Sequence, residues 1–181
     1  MESPSEAILE KARDALKEGE ASVAKDLFME VLATPWPTEG ETSSLHVKAA
    51  EGLSELGVLE AYLEKLWRKY DSGERNGELM NRLFWLTYPS EETKTRFDTR
   101  SGKFLKEFER LHPDNPAVQV ELGAYHNGIG NYDIAAQHWT SLVGVLEADE
   151  FRLLVTEEAL RGASLDILEK LTESIHKEIL R

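Results

Sequence analysis

Leu111-His112-Pro113-Asp114-Asn115-Pro116, followed by Leu122-Gly123, Gly130-Asn131-Tyr132, Ala135 and Trp139, is the stretch that decides how this chain folds. Asp114 and Asn115 are residue types that cap a helix. Pro116 is tolerated in the first turn, where its missing N–H had no partner. Small residues, Gly123 and Ala135, fall where two helices must touch, and Gly130 falls where the chain must reverse between them. The spacing predicts one helix to about Asn127 and another from Tyr132 to about Leu146, folded together as a hairpin. A lone hairpin leaves an apolar flank in water, so this one needs neighbours to stack against.

Moving outward, the apolar spacing is helical nearly everywhere. Ile8, Leu9, Ala12, Ala15 and Leu16 form a stripe that Gly19 ends, and Val23, Ala24, Leu27, Phe28, Val31 and Leu32 form the next. Pro35-Trp36-Pro37-Thr38-Glu39-Gly40 closes that helix as a loop, because two prolines cannot continue it. Leu45, Ala49, Ala50, Leu53 and Leu56 predict a third helix stopping at Gly57, and Leu59 through Tyr70 a fourth. A fifth carries Leu79, Leu83, Phe84 and Leu86 to Tyr88-Pro89. The sixth starts at Ser90 and carries Phe97, Phe104, Leu105, Phe108 and Leu111, with Ser101-Gly102 as a point of bending or interruption. Beyond the deciding hairpin, a ninth helix is expected over Asp149 to Arg161 and a tenth from Ser164, with Glu169, Lys170, Glu173, Lys177 and Glu178 as its charged face. No segment alternates with period two. The fold class is all-α, in one domain over residues 1–181.

Reversals within pairs fall near Gly19, Gly57, Pro89, Gly130 and Gly162, an average spacing of about 36 residues that suits a two-helix solenoid. With Leu122-Gly123, Gly130, Tyr132, Ala135 and Trp139 at their spacings, the chain resembles a tetratricopeptide repeat protein. The first hairpin resembles it more loosely, through Ile8, Ala12, Ala15, Gly19, Ala24, Phe28 and Pro35. Three positions depart from the family pattern. Gln119 stands where a large apolar residue is usual, His126 replaces a tyrosine, and no proline closes the repeat near Glu147. The resemblance implies a right-handed α-α solenoid of about five stacked antiparallel pairs, with Tyr132 and Trp139 filling a seam.

Composition restricts the function. The net charge is -13, from 34 Asp and Glu against 21 Lys and Arg, which disfavours nucleic acid and anionic lipid and favours a basic protein or peptide as partner. Solubility alone is the simpler reading of that charge. There is no cysteine, which removes disulfides, thiolate metal sites and cysteine nucleophiles. Neither a secretory signal nor an apolar run long enough to span a bilayer is visible, so a cytoplasmic location without membrane insertion is expected.

Catalytic signals are weak. Glu109 with His112 and Glu173 with His176 have the Glu-x-x-His spacing of carboxylate-bridged metal bundles. With 34 acids among 181 residues, five histidines meet that spacing about once by chance, and neither pair is placed mid-helix. No phosphate loop, dinucleotide fingerprint or nucleophile elbow occurs. The expectation is no enzyme, no cofactor and no metal. Trp67, Trp85 and Trp139 lie in core stripes. Trp36, between two prolines, reads as cover for a helix end, with a partner contact as the alternative.

In proteins of this resemblance the first helix of each hairpin lines a concave groove. Carried onto this chain, that face holds Glu10, Arg13 and Lys17, then Lys48, Glu51 and Glu55, then Asn81 and Trp85, then Glu121, Ala124 and Asn127. Leu9, Arg13, Val47 and Lys48 lack the paired asparagines of a carboxylate clamp, so that subtype is not expected. The reading is a non-enzymatic interaction module that binds a protein or peptide as adaptor, chaperone or assembly factor, as a monomer or weak homo-oligomer. A self-associating scaffold and, more remotely, a metal-dependent helical enzyme stay open as alternatives.

Overall fold

Four helix ends, at Gly19, Gly57, Gly73 and Gly130, share one hydrogen-bonding pattern, and it comes from glycine. At Gly19, Gly57 and Gly130 φ is +79°, +72° and +82°, a left-handed conformation that lets the chain turn back without a Cβ clash. Around each, the next residue donates to a carbonyl five positions back: Glu20 to Ala15 at 2.9 Å, Val58 to Leu53 at 2.9 Å and Asn131 to His126 at 2.8 Å. The glycines themselves donate three residues back, which completes a Schellman closure of each helix end.

The computed structural model describes residues 3–88 and 99–146, together with Glu169, Thr172, Glu173, His176, Lys177 and Leu180. Within the described residues the chain is all-helical, with α1 Pro4–Lys17, α2 Ala21–Ala33, α3 Ser44–Glu55, α4 Leu59–Asp71, α5 Gly77–Thr87, α6 Thr99–Leu111, α7 Pro116–Gly128 and α8 Tyr132–Thr140. None of these is long and apolar enough to cross a membrane. The reversals at Pro89 and Gly162, the Ser90 start, the closing position near Glu147 and the ninth and tenth helices fall outside the described residues, apart from the few named. Glu169, Glu173 and Lys177 are exposed.

The chain divides into two compact units, Met1–Glu92 and Thr93–Arg181. In the first, α1 packs on α2 and α3, α2 on α3, and α3 on α4 and α5. Phe28 of α2 and Gly52 of α3 approach closely, since a Cβ on Gly52 would overlap the Phe28 ring. Ala12, Ala24, Val31, Leu32, Ala49, Leu53 and Leu83 complete that core. α1 starts with a capping box. Glu6 N–H donates to Ser3 Oγ at 3.2 Å, and Ser3 N–H donates to Glu6 Oε2 at 2.7 Å. The Ser3 backbone N–H, with its hydroxyl, holds the Glu6 carboxyl below the usual carboxylate range.

In the second unit α7 packs against α6 and α8. Asn115 caps α7 by accepting from Ala117 N–H at 3.1 Å, with Pro116 in the first turn. Gly123 lies under the Trp139 indole, which is fully buried and donates to Val120 O at 3.4 Å; Tyr132 is half-buried. α6 runs unbroken through Ser101-Gly102. The glycine there makes room for the Tyr125 phenol of α7 rather than interrupting the helix. α8 is shorter than its apolar spacing predicts. After Thr140 the backbone tightens into bonds three residues apart, Leu142 to Trp139 and Val145 to Leu142, and Gly144 turns left-handed at φ +80°. Ser141 Oγ, which donates to His138 O at 2.5 Å, competes for the helix carbonyls at that point.

Candidate functional site

The expected groove residues fall into three groups. Glu10, Arg13 and Lys17 on α1 and Lys48, Glu51 and Glu55 on α3 are all exposed, on two helices that pack side by side. Lys48 of α3 acts electrostatically on Glu6 of α1, which places the two surfaces within reach of each other. Lys17 pairs with Asp14 at 3.5 Å, a solvated i,i+3 pair of small energetic weight. The face carries three cations and three anions.

Asn81 and Trp85 sit elsewhere than expected. Asn81 is fully buried, and its Nδ2 donates to Pro37 O and Glu41 O, each at 2.7 Å. Trp85 Nε1 donates to Gly40 O at 3.1 Å, leaving the ring half-buried. Together with Arg82 they form one face of α5 that clamps the loop between α2 and α3. Arg82 donates to Leu32 O, to Thr34 O at 3.3 Å and to Tyr62 Oη at 3.0 Å, and pairs with Glu78 at 2.5 Å. Its guanidinium lies 5.6 Å from the centre of the Trp36 ring. Trp36 is 3% exposed, so it covers a helix end and offers no surface to a partner. Asn81 is likewise unavailable as a groove residue, because a loop with two prolines leaves carbonyls that a side chain must satisfy.

His46 completes this clamp from α3. Its ring lies 4.5 Å from Trp36. Thr34 Oγ1 donates to Val31 O at 2.7 Å and so can only accept from His46 Nε2, at 3.1 Å; Nε2 also reaches Thr34 O at 3.0 Å. Nε2 therefore carries the proton, and Nδ1 accepts from the Ser43 hydroxyl. Burial holds this imidazole below the usual histidine range, against the pull of the Thr34 carbonyl.

In the second unit Glu121 and Asn127 are half-buried, and Ala124 is 7% exposed, so Ala124 too is withdrawn from any groove. The cause is the position of α7 between α6 and α8. A polar chain joins these three helices. Gln119 Nε2 donates to Glu109 Oε1 at 3.1 Å, and Gln119 Oε1 lies 2.7 Å from His138 Nδ1, which donates to it. His126 stacks on His138. Glu109 is thus engaged with Gln119, while His112 packs on Phe108 at 4.7 Å. Glu173 and His176 are exposed. No group of three or more metal-binding side chains occurs among the described residues.

An open cleft of about 360 Å³ lies beside this network, lined by Pro113, Asp114, Pro116, Gln119, Ser141, Leu142 and Val145. It holds a carboxylate, Asp114, an amide, Gln119, and a hydroxyl, Ser141. The sequence did not single out His46 or Arg82. Their partners lie 12 and 50 residues away along the chain, where no local pattern reaches. No protein family, curated protein or solved structure matches this chain.

Proposed function

We propose that this chain is a non-enzymatic protein-interaction module of tetratricopeptide-like hairpins, which holds a protein or peptide against the first helices of its hairpins. One observation carries the reading: α1 packs on α3 and α3 on α5, while Glu10, Arg13, Lys17, Lys48, Glu51 and Glu55 stay in water. Side-by-side first helices with exposed polar side chains are what a recognition face requires. The repeated Schellman reversals at Gly19, Gly57 and Gly130 support the repeat. The net charge of -13 favours a basic partner, and the cation–anion mixture on the face suits a ligand read by pattern rather than by net charge.

The test is site-specific crosslinking of the full chain in native extract. A photoreactive side chain at Lys48 or Glu51 should capture a discrete protein, and one at Lys25 on α2 should not. Capture should weaken at least ten-fold when Lys48→Glu is combined with Glu51→Lys. Equal adducts from both helices, or capture indifferent to the charge swap, would remove the face from α1 and α3.

A further inference from the structure

His126 and His138 stack with ring centroids 5.5 Å apart and planes 10° from parallel. Both sit mostly out of water between α7 and α8. The two positions of α7 that depart from the repeat pattern, Gln119 and His126, meet at His138, one through a hydrogen bond and one through the stack. We propose that the stacked histidines are a proton-operated catch on the α7–α8 hairpin: one proton settles on His138, and a second on His126 forces the helices apart.

The first proton is accommodated. His138 Nδ1 already donates to Gln119, so the added proton goes to Nε2, and the Glu109 carboxylate lies 3.9 Å from Nδ1 to balance the charge. The second has no such place. His126 Nδ1 is buried without a hydrogen-bond partner among the described residues, and its ring faces a neighbour that is by then charged. Two like charges stacked at this distance repel strongly where water is excluded. From α6, Glu109 favours a charge on both rings, while Lys106 opposes one on His126. On α7 itself, Tyr125 meets His126 edge-on at 5.1 Å and contributes no charge.

Burial holds both imidazoles below the usual range, and at His126 the His138 and Lys106 charges add to it. A lowered folded-state pKa fixes the sign. The neutral pair contributes its full stability above the unfolded value near ~6.5, and that contribution is lost as the pH falls through the folded pKa values. The coupled pair titrates in two steps that belong to both rings.

The full chain is titrated from pH 8 to pH 4.5 while the histidine ring protons are followed by NMR, and backbone exchange is mapped by peptide at pH 7.5 and 5.5. His126 and His138 should titrate below the ~6.5 of a free imidazole, and His138→Gln should raise the His126 midpoint. After correction for intrinsic rates, α7–α8 amides should lose about ten-fold more protection on acidification than α1–α2 amides, where no histidine lies. His126→Phe keeps a stacking ring without a proton site and should abolish that loss. Independent titration of the two rings near ~6.5 would overturn the catch, as would equal acid loss in both hairpins or an undiminished loss in His126→Phe. The wild-type titration decides even if a variant fails to fold.

Discussion

The loop clamp of the first unit and the α7–α8 hairpin of the second each bury a tryptophan and a histidine, and they leave opposite atoms unsatisfied. In the clamp His46 is hydrogen-bonded at both ring nitrogens, while Trp36 Nε1 has no partner among the described residues. In the hairpin Trp139 Nε1 reaches Val120 O, while His126 Nδ1 has no partner among the described residues. A bare indole N–H is a fixed penalty, the same at every pH. A bare imidazole nitrogen is a vacant proton acceptor, so its penalty changes with pH. His46 differs even when it takes a proton, because the Ser43 hydroxyl can rotate from donor to acceptor and keep the contact. The first arrangement is a lock; the second responds to acid.

The largest effect that tests this comparison comes from the two tryptophans. Trp36→Ala and Trp139→Ala should each cost about 3–5 kcal/mol in urea unfolding followed by circular dichroism, as large buried rings do. The phenylalanine variants separate them. Trp36→Phe gives up volume and sheds an unpaired N–H, whereas Trp139→Phe gives up a hydrogen bond to Val120 O and should cost about 1 kcal/mol more. Equal costs for the two phenylalanine variants would mean that indole bonding does not distinguish the regions.

Arg82 comes next. It holds two loop-end carbonyls, Leu32 and Thr34, together with Tyr62 and Glu78, and its side chain is only 11% exposed. Arg82→Met should cost about 2–3 kcal/mol, because charged hydrogen bonds are lost while buried carbonyls stay behind. Arg82→Lys should recover little, since a point charge cannot replace a planar fork that reaches several oxygens. Hydrogen exchange over residues 34–43 should rise in both variants. An unchanged loop would show that Asn81 and Trp85 suffice as its clamp.

What the sequence made legible follows the range of the forces involved. Helix positions were readable because stripes, proline and glycine act within a turn or two: α1 to α5 and α7 lie where their apolar periods place them. The all-helical class follows from the same short-range signals. Ser101-Gly102 was misleading because a glycine that lets Tyr125 approach looks, locally, like a glycine that ends a helix. α8 ended early for the converse reason: Leu142 stays buried beyond the last helical turn, so its apolar spacing continued while the backbone did not. The candidate site was less legible. Exposure of Glu10, Arg13, Lys17, Lys48, Glu51 and Glu55 follows from helical phase, which periodicity reports. Asn81, with Trp85 one turn on, is expected on that open face as well, but a loop about 40 residues upstream in sequence occupies it. Periodicity gives the face of a helix and is silent on what covers that face.

The smallest effect concerns the helix starts, where the units resemble each other at neutral pH and should part in acid. Ser3→Ala and Asn115→Ala each remove a side-chain acceptor from a first-turn N–H and should cost about 1 kcal/mol apiece at pH 7. The Asn115 cap bond joins an amide oxygen to the Ala117 backbone N–H, neither of which titrates, so the loss of that bond should cost the same at pH 4. Ser3 belongs to a reciprocal box in which the Glu6 carboxylate accepts from the Ser3 backbone, and the Ser3 hydroxyl, which alanine removes, also lowers the Glu6 pKa. A lowered carboxyl pKa contributes stability above the unfolded value near ~4.3, and the contribution is lost as pH falls through the folded one. The Ser3→Ala penalty should therefore shrink across that acid window while the Asn115→Ala penalty holds, in parallel urea titrations at the two pH values. Equal shrinkage would show that acid acts on the unfolded chain or on both helices at large, and that the Ser3–Glu6 box adds no pH dependence of its own.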